Sequence, residues 1–358
     1  MVIADEVAEK LGRVRALLQG DLDAVVLRGP GPVAWLSAGG RTHIVATPAT
    51  GVAAVVVTGD AVTVVTTVNE VDRLAEEELA GLGAAWEVVP WDVDLTAALP
   101  SGERVGTDVP YAGCRDLAGP LEAARRALTA TEADRFRALG ADTAVALTDA
   151  ILGLTPDMTE FQAAGVVSAA LADRGIDPVV LLVAGDQRIA THRHPLPTAG
   201  PLGQHAMIAV CGRRQGLIAS LTRMFSWGPM SDEQQDAHTR LLQVDAAFNV
   251  ATRTGATVGT VFSVGAGQYA RSGFGAHEAL RHHQGGPTGY TARDWLATAQ
   301  SAAMIEERQA FAWNPTVPGL KSEDTVLAHA DLPEVLTVDP RWPTGLVAGL
   351  ARPLVLQR

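Results

Sequence analysis

Two cysteines, Cys114 and Cys211, are all that the 358 residues contain, and they stand far apart in the chain. That count excludes a disulfide framework and a cysteine-rich metal site, and neither thiol is a default nucleophile. Runs of positive charge are missing too: no stretch of five or more Lys/Arg occurs, and 28 basic against 40 acidic residues leave a net charge of -12. Such a chain lacks the electrostatic footprint of a nucleic-acid or anionic-membrane binder, so its expected partner is a small molecule. No run of about 18 apolar residues marks a membrane span. Acids at Asp5 and Glu6 stand where an export signal would need basic residues, so a cytoplasmic location is expected. What the chain does have is 47% hydrophobic residues, 36 Gly and 20 Pro, a turn-rich globular composition.

At roughly 150 residues per domain, the length predicts two domains. Val7, Leu11, Val14 and Leu18 recur every three or four residues and predict a helix, followed by a buried strand at residues 23–27. Residues 52–58 and 61–67, joined by Gly59-Asp60, predict a hairpin. Asn69 is placed to cap a helix carrying Val71, Leu74, Leu79 and Leu82, and strands at 86–89 and 104–109 complete a first, small α/β domain at residues 1–122. A helical stretch over 117–152, broken near Thr129-Ala-Thr131, leads into a second domain at 123–358. There the pattern gives a helix opened by Thr159, strands at 178–184, 207–211 and 216–225, helices from Asp232 and Val258, and strand-rich segments to the end. This mixed order points to an α+β class rather than a doubly wound parallel sheet.

The segments with chemical potential lie between residues 185 and 330. They are His192-Arg-His194-Pro-Leu-Pro197, Met207–Gly212, Gly216–Phe225, Arg281-His-His283-Gln-Gly-Gly286-Pro-Thr-Gly-Tyr290, Ala312-Trp-Asn-Pro315 and Lys321-Ser-Glu323-Asp-Thr-Val-Leu327. In order and spacing they resemble the creatinase, prolidase and aminopeptidase P family with the pita-bread fold. Asp157-Met-Thr-Glu160 is similar to that family's helix-opening signature, and Ala34-Trp-Leu-Ser-Ala-Gly39 to a motif of its small N-terminal domain. The resemblance spans nearly the whole chain and implies a creatinase-type N-terminal domain followed by a pita-bread domain, in a homodimer.

In the family's metallopeptidases, two Asp, one His and two Glu hold a pair of divalent metals. Counting back from Arg223 puts Ser220 and Ala209 at the two Asp positions, and Asn314 stands at the first Glu. The resemblance keeps the ligand His as His283 and the last Glu as Glu323, while the second His of the family pattern has become Tyr290. Metals about 3.5–4 Å apart need several carboxylates to neutralise them, and one imidazole with one carboxylate is too few. The pocket is therefore expected to be free of metal and cofactor. The creatinase branch works without metal, and its proton-shuttling His would fall on His194, with His192 as the rival.

On this footing the leading expectation is a metal-independent, creatinase-like enzyme acting on a carbon–nitrogen bond of a small amino-acid-derived substrate, with a histidine as acid and base. Glu323 would anchor a substrate cation. His283, Asn314 and Tyr290 would supply hydrogen bonds. Arg281, Arg293, and Arg41 from a neighbouring subunit are candidates for a substrate carboxylate, with surface ion pairing as their ordinary alternative. Two other readings remain: an inactive pita-bread binding module, and a metallo-aminopeptidase with relocated ligands.

Overall fold

The computed structural model describes residues 2–18 and 20–358. Contacts divide the chain into one unit of Met1–Glu132 with Gln215–Leu217, and a second of Ala133–Arg214 with Ile218–Arg358. The division falls beyond residue 122 because Glu132 is tied into the first unit by an ion pair with Lys10 at 2.8 Å.

In the first unit, helix α1 (Val2–Ala16) buries Val7, Lys10 and Val14, the stripe that its three- and four-residue spacing produces. Lys10 is wholly buried and is satisfied by Glu6, Glu132 and the carbonyl of Trp35. Strands β1 (Ala24–Leu27), β2 (Ala53–Val57), β3 (Val62–Thr67), β4 (Ala85–Val89), β5 (Val105–Thr107) and β6 (Arg115–Asp116) form one sheet in the order β4-β3-β2-β1-β5-β6. The β2–β3 hairpin pairs Val57 with Val62 across its turn, in the register that two β-branched runs dictate. One expectation fails here. Asn69 caps no helix; its amide donates to Glu70, and the helix expected beyond Val71 forms irregularly, an α turn at Val71–Arg73 widening into a π turn at Leu74–Glu78 and followed by a 3₁₀ turn at Ala80–Leu82. Glu78 is drawn inward onto Arg41 and Arg73, and Gly81 and Gly83 lower the helical propensity of residues 80–84.

The second unit begins within the 24-residue helix α2 (Ala130–Gly153) and continues with α3 (Glu160–Ala172), which begins at a capping box of Thr159 and Gln162. Strands β7 (Asp177–Gly185), β8 (His205–Arg214) and β9 (Leu217–Ser226) are ordered β9-β8-β7, extended beyond β9 by a short C-terminal strand at Leu356–Gln357. A second sheet begins with β10 (Gly285–Pro287) and β11 (Ala310–Trp313) and continues to a strand at Asp324–Leu327. Helices Asp232–Ala251 and Val258–Arg271 share an apolar core with Phe311 and Trp313. Phe248 stacks on Trp313 at 4.9 Å, and Gly265 permits that packing because a Cβ there would lie 2.3 Å from the Phe248 ring. The pattern is a mixed α/β pita-bread architecture. Among the described residues, no helix is long and apolar enough to cross a membrane.

Candidate active site

A cavity of about 150 Å³ lies in the second unit. Strands β7 and β8 line one wall, where the register sets Leu182 opposite Ala209 and Val180 opposite Cys211. Alternation along a strand puts residues two apart on one face, so these four share the wall. His194, His283, Ala292, Arg293, Asn314, Lys321 and Glu323 supply much of the rest. His283 and Asn314 arrive together because the backbone amide of Asn314 donates to the carbonyl of Gln284, beside the β10–β11 pairing. The Gly285-Gly286 pair makes this approach possible. At Gly285 the φ is +99°, and a Cβ there would lie 2.1 Å from the Ala312 carbonyl.

The centre of the site is an ion cluster. Glu323 is buried, with one oxygen 2.7 Å from Arg293 Nη2 and the other 2.9 Å from Lys321 Nζ. Thr222 Oγ1 donates to the second oxygen at 2.8 Å. Burial alone would raise this carboxyl, but the Lys321 and Arg293 charges outweigh it and hold the pKa at about 2. Arg293 also donates to Ser220 Oγ at 3.2 Å, and that hydroxyl donates to Cys211 Sγ at 3.2 Å. Cys211 is a small buried residue whose thiol is pushed up by burial, as its expected packing role requires. Asp324, the next residue, joins Arg223 and Arg352 in a separate buried network that braces the strand.

Three histidines gather beside this cluster. His194 Nε2 lies 3.0 Å from His282 Nε2, and the His282 and His283 rings stack with centroids 4.3 Å apart. Burial and neighbouring positive groups lower all three, His282 to about 3 and His283 to about 4, so each is an uncharged imidazole at neutral pH. The segment carrying His194 is fastened at both ends by Glu160. That carboxylate accepts from the amide of Gly185 at 3.0 Å and from the amide and hydroxyl of Thr198 at 2.9 and 2.7 Å, and it also pairs with Arg188.

The structure brings His194, His283, Arg293, Asn314 and Glu323 to one cavity, with Ala209 and Ser220 in or behind its wall. His192 stays outside, exposed, with Nδ1 2.8 Å from the Thr191 hydroxyl. Tyr290 is buried but does not line the cavity. Arg281 is exposed, 3.8 Å from Glu278, and Arg41 is exposed and paired with Glu78 at 2.8 Å. Glu323, expected to grip a substrate cation, already has both oxygens engaged by cations of its own chain. Lys321 was overlooked as a site residue, although a signal was present: the chain has only two lysines among 28 basic residues, and this one stands two positions from Glu323.

A dinuclear metal centre does not fit these residues. Ala209 offers no donor, Ser220 and Asn314 offer no charge, and the surviving carboxylate is neutralised by Arg293 and Lys321. Two fixed cations stand on the carboxylate where the resemblance would place metal ions.

Comparison with known proteins agrees with the fold. The profile of metallopeptidase family M24 matches residues 134–330. No curated protein matches the chain. Among solved structures, the prolidase from Pyrococcus horikoshii OT3 superposes with a TM-score of 0.78 at 18% identity, covering 93% of this chain and 99% of that one. Dipeptidase PepE from Mycobacterium ulcerans gives 0.76 at 19% identity over 94% and 97%. The N-terminal domain of the FACT complex subunit SPT16 from Cicer arietinum gives 0.70 at 12% identity over 94% and 96%. At these identities the likeness is one of fold.

Proposed function

The chain belongs to metallopeptidase family M24, and from that premise we propose a metal-independent member that cleaves a carbon–nitrogen bond in a small, carboxylate-bearing amino-acid derivative. The observation that carries the reading is the Arg293–Glu323–Lys321 cluster, which sets fixed positive charge into the wall of an otherwise largely apolar cavity. With the three imidazoles uncharged, Arg293, Lys321 and Glu323 sum to one net positive charge. A substrate carboxylate is the complementary partner.

His194 is the acid and base in this reading. It lines the cavity, is reachable from solvent, and is unprotonated at neutral pH because burial and Lys321 lower its pKa. It takes a proton from water as the oxygen attacks the carbon of the scissile bond. Lys321 Nζ and the unpartnered Nε of Arg293 are donors for the negative charge that develops on the substrate, and the imidazolium then returns its proton to the departing nitrogen. The proposed setting is a cytoplasmic homodimer. Chelator-treated protein tested against guanidino acids, amides and dipeptides is expected to turn over one class. His194→Ala should lower kcat by about 10²–10⁴-fold, with His192→Ala near wild type. Activity that disappears on chelation and returns with manganese, cobalt or zinc would overturn the reading.

A second reading, an inactive binding module, is favoured by Ala209, which offers no donor where the family resemblance implies a metal ligand. Ligand binding without turnover of any compound in that panel would select it.

A further inference from the structure

Among the described residues, His194, His282 and His283 are a group whose ligand atoms all lie within 4.8 Å of one another. None of the three rings is hydrogen-bonded to a carboxylate of the described residues, and His282 and His283 each keep a buried Nδ1 with no hydrogen-bond partner. A buried polar atom left without a partner costs roughly 1–3 kcal/mol, and His283 Nδ1 is such an atom; in His282 the nitrogen that faces His194 is Nε2, so its Nδ1 is not the one an ion there would take. Neutral imidazoles crowded around one point, each with a nitrogen to offer, are what a borderline transition-metal ion selects.

We propose that His194, His282 and His283 hold a single divalent ion of the zinc, cobalt or nickel type, at a position set by three imidazoles rather than by carboxylates. Only His283 is shared with the ligand set that the family resemblance implies. A tetrahedral ion with nitrogens at 2.0–2.1 Å needs them about 3.3 Å apart. His194 and His282 already meet that separation at 3.0 Å. The widest possible gap, 4.8 Å, closes by about 1.5 Å on side-chain rotation. Exposure of His194 gives the ion an entry path and leaves its fourth position to water. Glu323 balances one of the two nearby cations, and solvent at His194 screens the other. Resting on the reading above, one consequence follows: an ion here occupies the lone pair that His194 needs for proton transfer, so it inhibits.

The test is titration of metal-stripped protein with cobalt(II), followed by visible absorption, with zinc added as competitor and calorimetry for stoichiometry. One equivalent should bind with the intense absorption of a tetrahedral nitrogen site, and zinc should displace it. His194→Ala, a change at an exposed position, should weaken binding at least tenfold, and so should His282→Ala. Absence of the absorption, or affinity and stoichiometry unchanged in the His194→Ala/His282→Ala protein, overturns the site. Binding is read without substrate, so the outcome stands apart from whether the protein turns over any compound.

Discussion

Replacing Glu323 by Gln tests the ion cluster most directly. The substitution keeps the shape but leaves Arg293 and Lys321 facing each other with no anion, at side-chain exposures of only 12% and 4%. Removing one partner of a buried ion pair costs about 3–5 kcal/mol, because the remaining charge stays desolvated. For a unit of this size that corresponds to a melting temperature lower by roughly 6–20 °C. Lys321→Met alone should cost less, since Glu323 keeps Arg293 and Thr222. The double variant Lys321→Met/Glu323→Gln should then be more stable than Glu323→Gln alone, with a coupling of about 1–3 kcal/mol. Urea unfolding of the four proteins, followed by tryptophan fluorescence and thermal melts, completes the cycle. A Glu323→Gln protein within about 1 kcal/mol of wild type, or strictly additive costs, would refute the reasoning.

Other outcomes rest on the same structure. Glu160→Gln removes the charge that fastens Gly185, Arg188 and Thr198, so amide exchange over residues 185–198 should accelerate while the helix behind stays protected. Gly285→Ala should destabilise by several kcal/mol, on the order of an overpacked core site, because its Cβ would sit 2.1 Å from a carbonyl oxygen at positive φ; chemical denaturation measures it. His238 is 6% exposed, and burial lowers its pKa from 6.5 to about 4. Below pH 6.5 the unfolded chain binds this proton and the folded one does not, so stability is full above 6.5 and declines toward pH 4, by about 3 kcal/mol in all. His238→Gln should flatten that part of the stability–pH curve, and an unchanged slope would contradict it.

Much of the architecture was legible because it depends on local signals. The three- and four-residue stripe of Val7 and Val14, the β-branched hairpin, and the Thr159 cap each act within a few residues, and each formed as expected. The helix after Asn69 forms irregularly and without its expected cap, and Glu78 within it is held by Arg41, 37 residues away, a contact that no local pattern announces. The site divides along the same line. Glu323 and His283 stood out through motif spacing, whereas the Arg293 contact joins residues 30 positions apart and emerges only from folding. The different surroundings of His192 and His194 also emerge only in three dimensions. Two residues apart in an irregular segment, they differ in whether they reach His282, at a separation of 88 residues.

The scarcity of lysine has an experimental consequence. The two ε-amines of the chain, Lys10 and Lys321, fall one in each compact unit, with side-chain exposures of 0% and 4%. Amine acylation or lysine-specific proteolysis of the native protein therefore has nothing to attack at either position until that unit opens. Modification at each site, followed by mass spectrometry against time or denaturant, becomes a two-channel clock that reads the opening of the two units separately, with no engineered label.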